Sequence, residues 1–527
     1  MTTPPSVLRD FRTRAAYSEA AGIHRIVPAG VAVPRSPEEL QALVRWATAA
    51  GTTLVPRGAG SAMPGNAVGA GIVVDLNQGF RYLDVDPGAR VARTGASVTW
   101  AALAAAARAH GLRLPPDPSS GAFATAGGMV ATNAAGPRSV CYGSVRPWVA
   151  GLEVVGADGE ARWIRRGAGS REPGAGLPFR LDDPGRRLVA ERFPRTRKNS
   201  MGYALDAFAA SGDEVDLFVG AEGTLGVVMA VEWRLDPIPP HRAGAALGFA
   251  TLDGLQEAVT FLVTLRPAAV ELMDETLLRF VIEDGGTVPP GLAALLLVEF
   301  ERDTAAAARG AVADAVRGLR ALTSHVETAP DAAGLPALWR VRTLASPALA
   351  RLPETRRSLQ VIEDGCVPLD RLGAYLAGVR DAADRLGIVV ALFGHAGDGH
   401  VHVNALPDIT RPGWREAVRM LYDAVSDLVI HLGGTPAGEH GAGRLRAGLV
   451  ERLYGAEIVA RFRAVKRAYD PGGVFNPDVI LPADDWEPLA GMKIGPAAAP
   501  IPDDIAARLR DLERTGAWQT PKTELAR

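Results

Sequence analysis

Cysteine is almost absent from this chain. Among 527 residues only Cys141 and Cys366 carry thiols. Two thiolates cannot ligate an iron–sulfur cluster, which usually takes four. Nor can they supply a disulfide framework, so a reducing, cytoplasmic setting is expected. Long apolar runs are missing too: none approaches the ~20 residues that a membrane span needs. The N-terminal stretch MTTPPSVLRDFRTRAAYSEAAG lacks the apolar core of a signal peptide. Basic charge is not in excess either. A formal net charge of −2 argues against a nucleic-acid partner, which wants a positive surface. What remains is an ordinary globular composition, 47% hydrophobic and 22% charged, on a chain too long for one core. Two or three domains are expected.

Histidine is scarce but concentrated. Of nine, His395, His400 and His402 fall within eight residues of GHAGDGHVHVNAL, and His440 follows Glu439 in GEHGAG. The first segment reads as two strands joined at the Asp398-Gly399 turn signal. A loop over 396–399 would pair His395 with His400. Side chains alternate along a strand, so His400, His402 and Asn404 share one face and His395 lies across the hairpin on the same face. A lone histidine there would read as part of a solvated strand face. Clustered imidazoles with a carboxylate are instead the ligand set of a divalent metal acting as a Lewis acid.

The first 240 residues read as mixed α/β. In VAVPRSPEELQALVRWATAAG, Ser36 is a good N-cap, Pro37 suits the first helical position and Glu39 completes a capping box. Leu40, Leu43, Val44 and Ala47 recur at helical spacing, and Gly51 stops the helix. A strand TLVP follows, and a second helix is expected from about Ser97 to His110. Residues 166–177 read as a mobile loop, and DPIPPHRA near 236–243 as a boundary. The middle region alternates strands such as AALLLVEF and VIEDGCVP with Ala-rich helices. A helix follows between 441 and about 480, and one more is expected at 503–514 in a Pro/Ala-rich tail.

Three segments of the first domain are rich in small residues. PRGAGSAMPGN (56–66) follows a strand and would let backbone N–H groups approach a phosphate. It is not the Rossmann fingerprint, because no helix follows the GxG. PDPSSGAFATAGGMVATNAAGPRSVCYGS (116–144) is nearly uncharged and reads as backbone packed against a flat ligand. FVGAEGTLGVVMAVEW (218–233) reads as strand, turn and strand.

The order of these segments resembles the vanillyl-alcohol-oxidase-type, or PCMH-type, flavin domain. That resemblance runs over about residues 25–480. It implies an α+β fold: a two-subdomain FAD-binding domain over 1–240, and a substrate domain over 241–440 with an antiparallel sheet covered by helices. Residues 441–483 would return to the flavin, leaving a tail at 484–527. It also implies FAD contacts at Arg57, Gly58, Gly60, Ser61, Pro116, Ser119, Gly127, Gly128, Asn133, Gly136, Tyr142, Gly143, Glu222, Gly223, Gly226 and Asn476. No His or Cys lies in the 56–66 loop, so noncovalent FAD is expected. Cys141, beside the YG match, reads as packing.

The C-terminal half resembles the FAD-linked D-2-hydroxy-acid dehydrogenases. Their HxGDGNxH is nearly matched from His395 to His402, and their GEHGxG from Gly438 to Gly443. The resemblance implies that His395, His402 and Glu439 ligate a divalent metal, zinc or manganese. His440 would be the general base, and Arg342 and Lys198 would hold the substrate carboxylate. Ser346 would share a helical face with Arg342 and take the place of a carboxylate-binding Thr. The sequence departs from the pattern at four places. His400 replaces Asn, as a further ligand or a spacer. Ala204 replaces the Asp of GYDL, Ala221 the Ser of GSEGTLG, and Asp478 the Gly of NPG.

The chemistry suits these groups. A neutral imidazole can take a hydroxyl proton near pH 7. A metal stabilises the developing alkoxide, Arg fixes a carboxylate, and flavin N5 accepts the hydride. The expected substrate is D-lactate or D-2-hydroxyglutarate. The expected acceptor is a quinone, an electron-transfer flavoprotein or a separate iron–sulfur protein, with no cluster on this chain. A homodimer is compatible with the resemblance, and the setting would be cytoplasmic or peripheral at the inner membrane face. Alternatives are an oxygen-using oxidase of another alcohol, an FAD-binding electron-transfer subunit, or a metallohydrolase without flavin.

Overall fold

A computed structural model describes residues 6–167 and 176–527. The loop expected at 166–177 therefore lies largely outside the described residues. Among the described residues the N-terminal half holds two small sheets and a two-stranded ladder, Leu112–Arg113 with Asp236–Pro237. The first contains Val7–Leu8, Gly30–Ala32, Ile72–Asp75 and Leu54–Arg57, the last three strands parallel. Its helix, Pro37–Ala50, is capped as the sequence predicts: Ser36 accepts from Glu39 N–H and Gly51 ends it at φ 61°. Such a cap is worth about 1 kcal/mol. Leu40, Leu43, Val44 and Ala47 are its buried face. The second sheet is antiparallel, in the order Leu83–Asp86, Val91–Gly95, Val227–Arg234, Val149–Val155, Ala161–Arg165.

Past residue 240 the chain builds a seven-stranded sheet. Its order is His325–Ala329, His241–Phe249, Ala294–Arg302, Ala269–Asp274, Val389–Gly394, His400–Leu406, Gly365–Cys366, and each neighbouring pair is antiparallel. The helix Leu372–Arg385 buries one face against it, and Trp414–His431 packs beside that helix. The histidine hairpin has the predicted register: Phe393 pairs with His402, and His400 N–H donates to the His395 carbonyl at 3.3 Å.

Several local expectations fail for identifiable reasons. FVGAEG does not begin as a strand; a short helix, Val215–Phe218, precedes the turn, and Arg146 takes the carbonyls of Asp216 and Val219. Of VIEDGCVP only Gly365–Cys366 is strand, because Glu363 and Asp364 turn into a buried polar cluster. At DPIPPHRA the chain passes between sheets: Asp236–Pro237 pairs with Leu112–Arg113 of the first half, and His241 onward with Ala294–Arg302 of the second. The helix between 441 and 480 is two, Leu449–Tyr454 and Ala456–Tyr469, broken at Gly455. Cys141 is exposed rather than packed. Among the described residues no helix is long and apolar enough to cross a membrane.

Residues 470–495 return to the first sheet. Leu54 N–H donates to the Val474 carbonyl at 2.8 Å, and the Asn476 side-chain amide donates to the carbonyls of Asn66 and Glu222. Asp478, where the resemblance has Gly, sits at φ 65°. Asp tolerates that left-handed backbone better than most residues. Ala204, in place of an Asp, leaves the helix Leu205–Ser211 without a side-chain cap.

Candidate functional site

The hairpin end and the GEHGAG loop meet in a buried cluster whose ring tautomers are fixed by their neighbours. His395 Nδ1 lies 2.6 Å from Glu271 Oε1. Burial alone would raise the Glu271 carboxyl, but His395 and Arg342 overcome it and hold it at about 2. Glu271 is therefore an acceptor, and His395 Nδ1 carries the proton. His402 Nδ1 donates to the Glu363 carbonyl at 2.9 Å, and His440 Nδ1 donates to Glu363 Oε2 at 2.7 Å. All three rings are left presenting Nε2 to one atom. Glu439 Oε1 is 3.3 Å from His395 Nε2, 3.5 Å from His402 Nε2 and 3.6 Å from His440 Nε2. Convergent imidazole nitrogens and a carboxylate oxygen, with each Nδ1 tied back, form a site that suits a divalent cation.

His400 lies near this point but both its nitrogens are engaged. Lys198 Nζ has only protons to offer, so His400 Nδ1, at 3.4 Å, is the acceptor, and Nε2–H donates to Asp364 at 2.8 Å. Burial, reinforced by the Lys198 charge, pushes His400 down to about 3, so the ring is neutral. Lys198 also donates to Glu439 Oε2 at 3.1 Å and lies 3.4 Å from Asp398. Burial opposes the ionised form of Glu439, but Lys198 and His395 hold its pKa well below the usual range.

Asp364 organises the GEHGAG loop. It accepts from the backbone N–H groups of Glu439 and His440, and Arg446 stands 3.5 Å away. Arg446 also donates to Glu363 at 2.6 Å. Burial would lower the His440 pKa, but Glu363 and Asp364 outweigh it and push it up to about 10. A dication at the neighbouring point would act in the opposite sense.

A cavity of about 1200 Å³ joins this cluster to the small-residue loops. Arg57, Gly58, Gly60, Ser61, Ser119, Gly127, Gly128, Gly136, Glu222, Gly223 and Gly226 line it. At Gly58 a Cβ would collide with the Thr125 hydroxyl that caps the helix Ala126–Thr132. The wall is backbone and small side chains, and the volume exceeds that of a usual small-molecule pocket. Among the described residues, Asn66 Oδ1 and Arg138 Nε are buried without a partner, and both side chains line the cavity. Large size, backbone donors and unpaired polar atoms fit a dinucleotide such as FAD with a small substrate beside it.

Other expected cofactor residues lie behind the wall rather than on it. The Pro116 carbonyl accepts from Trp100, Tyr142 is bonded to Glu301 and Arg113, and Gly143 ends a helical turn. Asn133 ends the helix Ala126–Thr132 in a left-handed conformation, and Asn476 links the loops of Asn66 and Glu222. Arg57 lines the cavity, but its guanidinium donates to the carbonyls of Tyr17, Glu19 and Ala67, bracing the loop above it. Glu222 crosses to the other half: it accepts from Ala442 and Gly443 N–H at 2.8 and 2.9 Å. Burial pushes its carboxyl up to about 7, against the hydrogen bonds of Asn66 and this loop.

Arg342, Ser346, His402, Glu439 and His440 all border the cavity. Arg342 and Ser346 sit on the helix Leu335–Ala350, as their spacing predicts. Among the described residues Arg342 makes one side-chain hydrogen bond, from Nε to Glu271 at 2.9 Å, so its terminal nitrogens are not tied to protein. Lys198 is not on the cavity wall; it stands behind Glu439. Sequence reasoning missed Glu271, Glu363, Asp364, Asp398 and Arg446. The adjacent acids in VIEDGCVP, inside an apolar run, were a usable signal. Arg446 and Glu271 look like any surface charge until the fold buries them.

Comparison with known proteins agrees with this geometry. Residues 28–165 match the FAD binding domain family, and residues 238–480 match the C-terminal domain of FAD linked oxidases. The chain is 30% identical over 457 residues to a D-lactate dehydrogenase of Archaeoglobus fulgidus, covering 86% of this chain and 91% of that one. It is 29% identical to glycolate oxidase subunit GlcD of Bacillus subtilis, covering 89% and 93% of the two chains. It is also 29% identical to a D-2-hydroxyglutarate dehydrogenase of Xanthomonas citri, covering 87% and 90%. In fold it is similar to 4-ethylphenol oxidase from Gulosibacter chungangensis, with a TM-score of 0.66 at 16% identity over 90% and 94% of the chains. The chain is an FAD-linked oxidoreductase acting on CH–OH donors, and it belongs to the FAD-linked D-2-hydroxy-acid dehydrogenase family of PCMH-type flavoproteins.

Proposed function

We propose that this chain oxidises a D-2-hydroxy acid, D-lactate or D-2-hydroxyglutarate preferred, to the 2-oxo acid, and that it does so with a divalent metal held by His395, His402 and Glu439. One observation carries the reading: Glu271 and the Glu363 carbonyl fix two imidazoles so that both Nε2 atoms meet Glu439 Oε1. Relatives named for D-lactate, D-2-hydroxyglutarate and glycolate support a small 2-hydroxy acid as substrate. The residues and the cavity support zinc or manganese and noncovalent FAD.

Each residue then has a task. The Arg342 terminal nitrogens, without a hydrogen-bond partner among the described residues, pair the substrate carboxylate in bidentate fashion, with Ser346 one turn along. His440 Nε2, open to the cavity, takes the hydroxyl proton, and Glu363 and Asp364 stabilise the imidazolium that results. Lys198 is a positioning residue: it occupies Glu439 Oε2 and leaves Oε1 for the metal. Asp364 fixes the loop that carries both Glu439 and His440. When bound, FAD would accept the hydride at N5, and the dication would polarise the α-hydroxyl. The electrons then pass to a quinone, an electron-transfer flavoprotein or a separate iron–sulfur protein.

Metal analysis of the purified protein tests the ligand set. About one divalent ion per chain is expected, and none in His402→Ala. A variant that keeps both its metal and its turnover would remove His402 from the site.

A further inference from the structure

Residues beyond 480 lie outside both family matches. They nevertheless fold back onto the cavity. The helix Asp503–Thr515 buries Ile505 and Leu509 beside Tyr17 and beside Val55 and Val73 of the first sheet. Leu512 on the same helix and Trp518 just past it pack with Ala21 and Ala59, against Met63 and Phe123. Met63 and Phe123 belong to the two small-residue loops, and Thr515, Gly516 and Trp518 line the same cavity as those loops. The Gln519 side chain donates to the Ala122 carbonyl of the second loop.

The other side of this helix is tied to the second half of the molecule. Arg510 and Arg514 both donate to Glu354 Oε1, at 2.7 and 2.6 Å, and Arg357 donates to Glu513 at 2.9 Å. Glu354 and Arg357 follow the helix that carries Arg342 and Ser346. The C-terminal segment thus spans the two halves across the cavity between them.

We propose that Thr515–Trp518 form part of the FAD-binding wall and that the ion pairs to Glu354 and Glu513 hold this wall shut, so that the C-terminal segment sets how tightly the chain retains FAD. Trp518 is 8% exposed and, with Met63 and Phe123, is one of the few large side chains on a stretch of wall otherwise made of small residues. A rigid aromatic at that place supplies apolar area and a stacking surface at little cost in conformational entropy. Two arginines sharing one carboxylate leave the cavity mouth net positive on this side, which suits a cofactor carrying a diphosphate.

The test uses the full-length holoprotein and follows FAD release by recovery of free-flavin fluorescence on dilution. Trp518→Ala is expected to release FAD about two- to ten-fold faster, the order of one lost aromatic contact. Trp518→Phe is expected to restore most of the retention; Trp518→Ala also loses packing in its cluster and melts lower as apoprotein, whereas Glu354→Gln leaves the apoprotein melting temperature unchanged. Glu354→Gln, on the exposed side of the strap, is expected to speed release several-fold with no change in the cavity lining. Wild-type release rates in both Trp518→Ala and Glu354→Gln would overturn the proposal. So would faster release by Glu354→Gln that tracks an equal loss of apoprotein stability. If Trp518→Ala does not fold, Glu354→Gln decides alone, and an unchanged rate there overturns it.

Discussion

The two ends of the cavity are built on opposite principles. The flavin-side wall uses backbone and small residues, with few charges. The histidine end packs His395, His400, His402, Glu271, Glu363, Asp364, Glu439, Lys198 and Arg446 into a buried volume. At the first end, shape decides: an added side chain fills the space that a ligand needs. At the second, charge balance decides: an ion that loses its partner is stranded away from water, at a cost of several kcal/mol. The two ends are coupled by one carboxylate, Glu222, whose oxygens hold the GEHGAG loop from across the cavity. A Cβ on Gly441 would lie 2.6 Å from that carboxyl carbon, so the coupling also needs a glycine, at φ 90°.

The sharpest way to break the comparison is at the charged end. Glu439→Gln keeps shape and removes charge, so it is expected to lower turnover by about 10³-fold or more and to release the metal. Steady-state kinetics with metal analysis reads both. Glu271→Gln removes the charge that fixes the His395 ring and also anchors Arg342 Nε, and a loss of about 10–100-fold in metal affinity or activity is expected. A chelator titration of the variant gives the affinity. If Glu271→Gln equals Glu439→Gln in effect, Glu271 is more than an orienting partner.

At the junction, Glu222→Gln places an amide donor opposite backbone N–H donors. A loss of about 1–3 kcal/mol in stability is expected, read as a lower melting temperature in apoprotein and holoprotein alike. A neutral outcome would mean that Glu222 is already protonated at working pH, as its upward shift to about 7 allows.

The smallest expected effect lies under the flavin-side wall. Lys522 is buried, and its Nζ lies 5.4 Å from the Trp518 ring centre. Burial, with the nearby Arg57 charge, lowers it to about 7. The unfolded chain binds its proton up to pH ~10.4, so between about pH 7 and 10 the unfolded state holds more protons and stability rises with pH. Below about 7 both states are charged and the penalty is constant. Lys522→Met is therefore expected to stabilise by on the order of 1 kcal/mol at neutral pH, with the gain fading toward pH 10. A pH series of thermal melts checks the sign.

Much of this was legible in the sequence, where a motif is local. The helix after Ser36 followed from its cap and spacing, and the His395–His400 register from a turn signal and strand alternation. Arg342 and Ser346 share the helix that their spacing implied. What was not legible depends on contacts distant in the chain. Glu271 reaches His395 from another strand, and Arg446 and Glu363 meet only when the loop folds over the sheet. Lys198 looked like a carboxylate anchor, but the fold puts it behind Glu439 because three acceptors surround it there. The C-terminal segment carried no motif, and its place at the cavity comes from ion pairs that no spacing rule encodes.

The most direct test is an anaerobic titration of the purified protein with D-lactate, D-2-hydroxyglutarate, glycolate and the L-isomers, followed by flavin absorbance before and after removal of the metal. The expected result is bleaching by a D-acid in preference to its L-isomer, slowed about 10³-fold or more by chelation and restored by zinc or manganese. A flavin that bleaches at the same rate without metal, or one that no acid touches with metal supplied, would contradict the account.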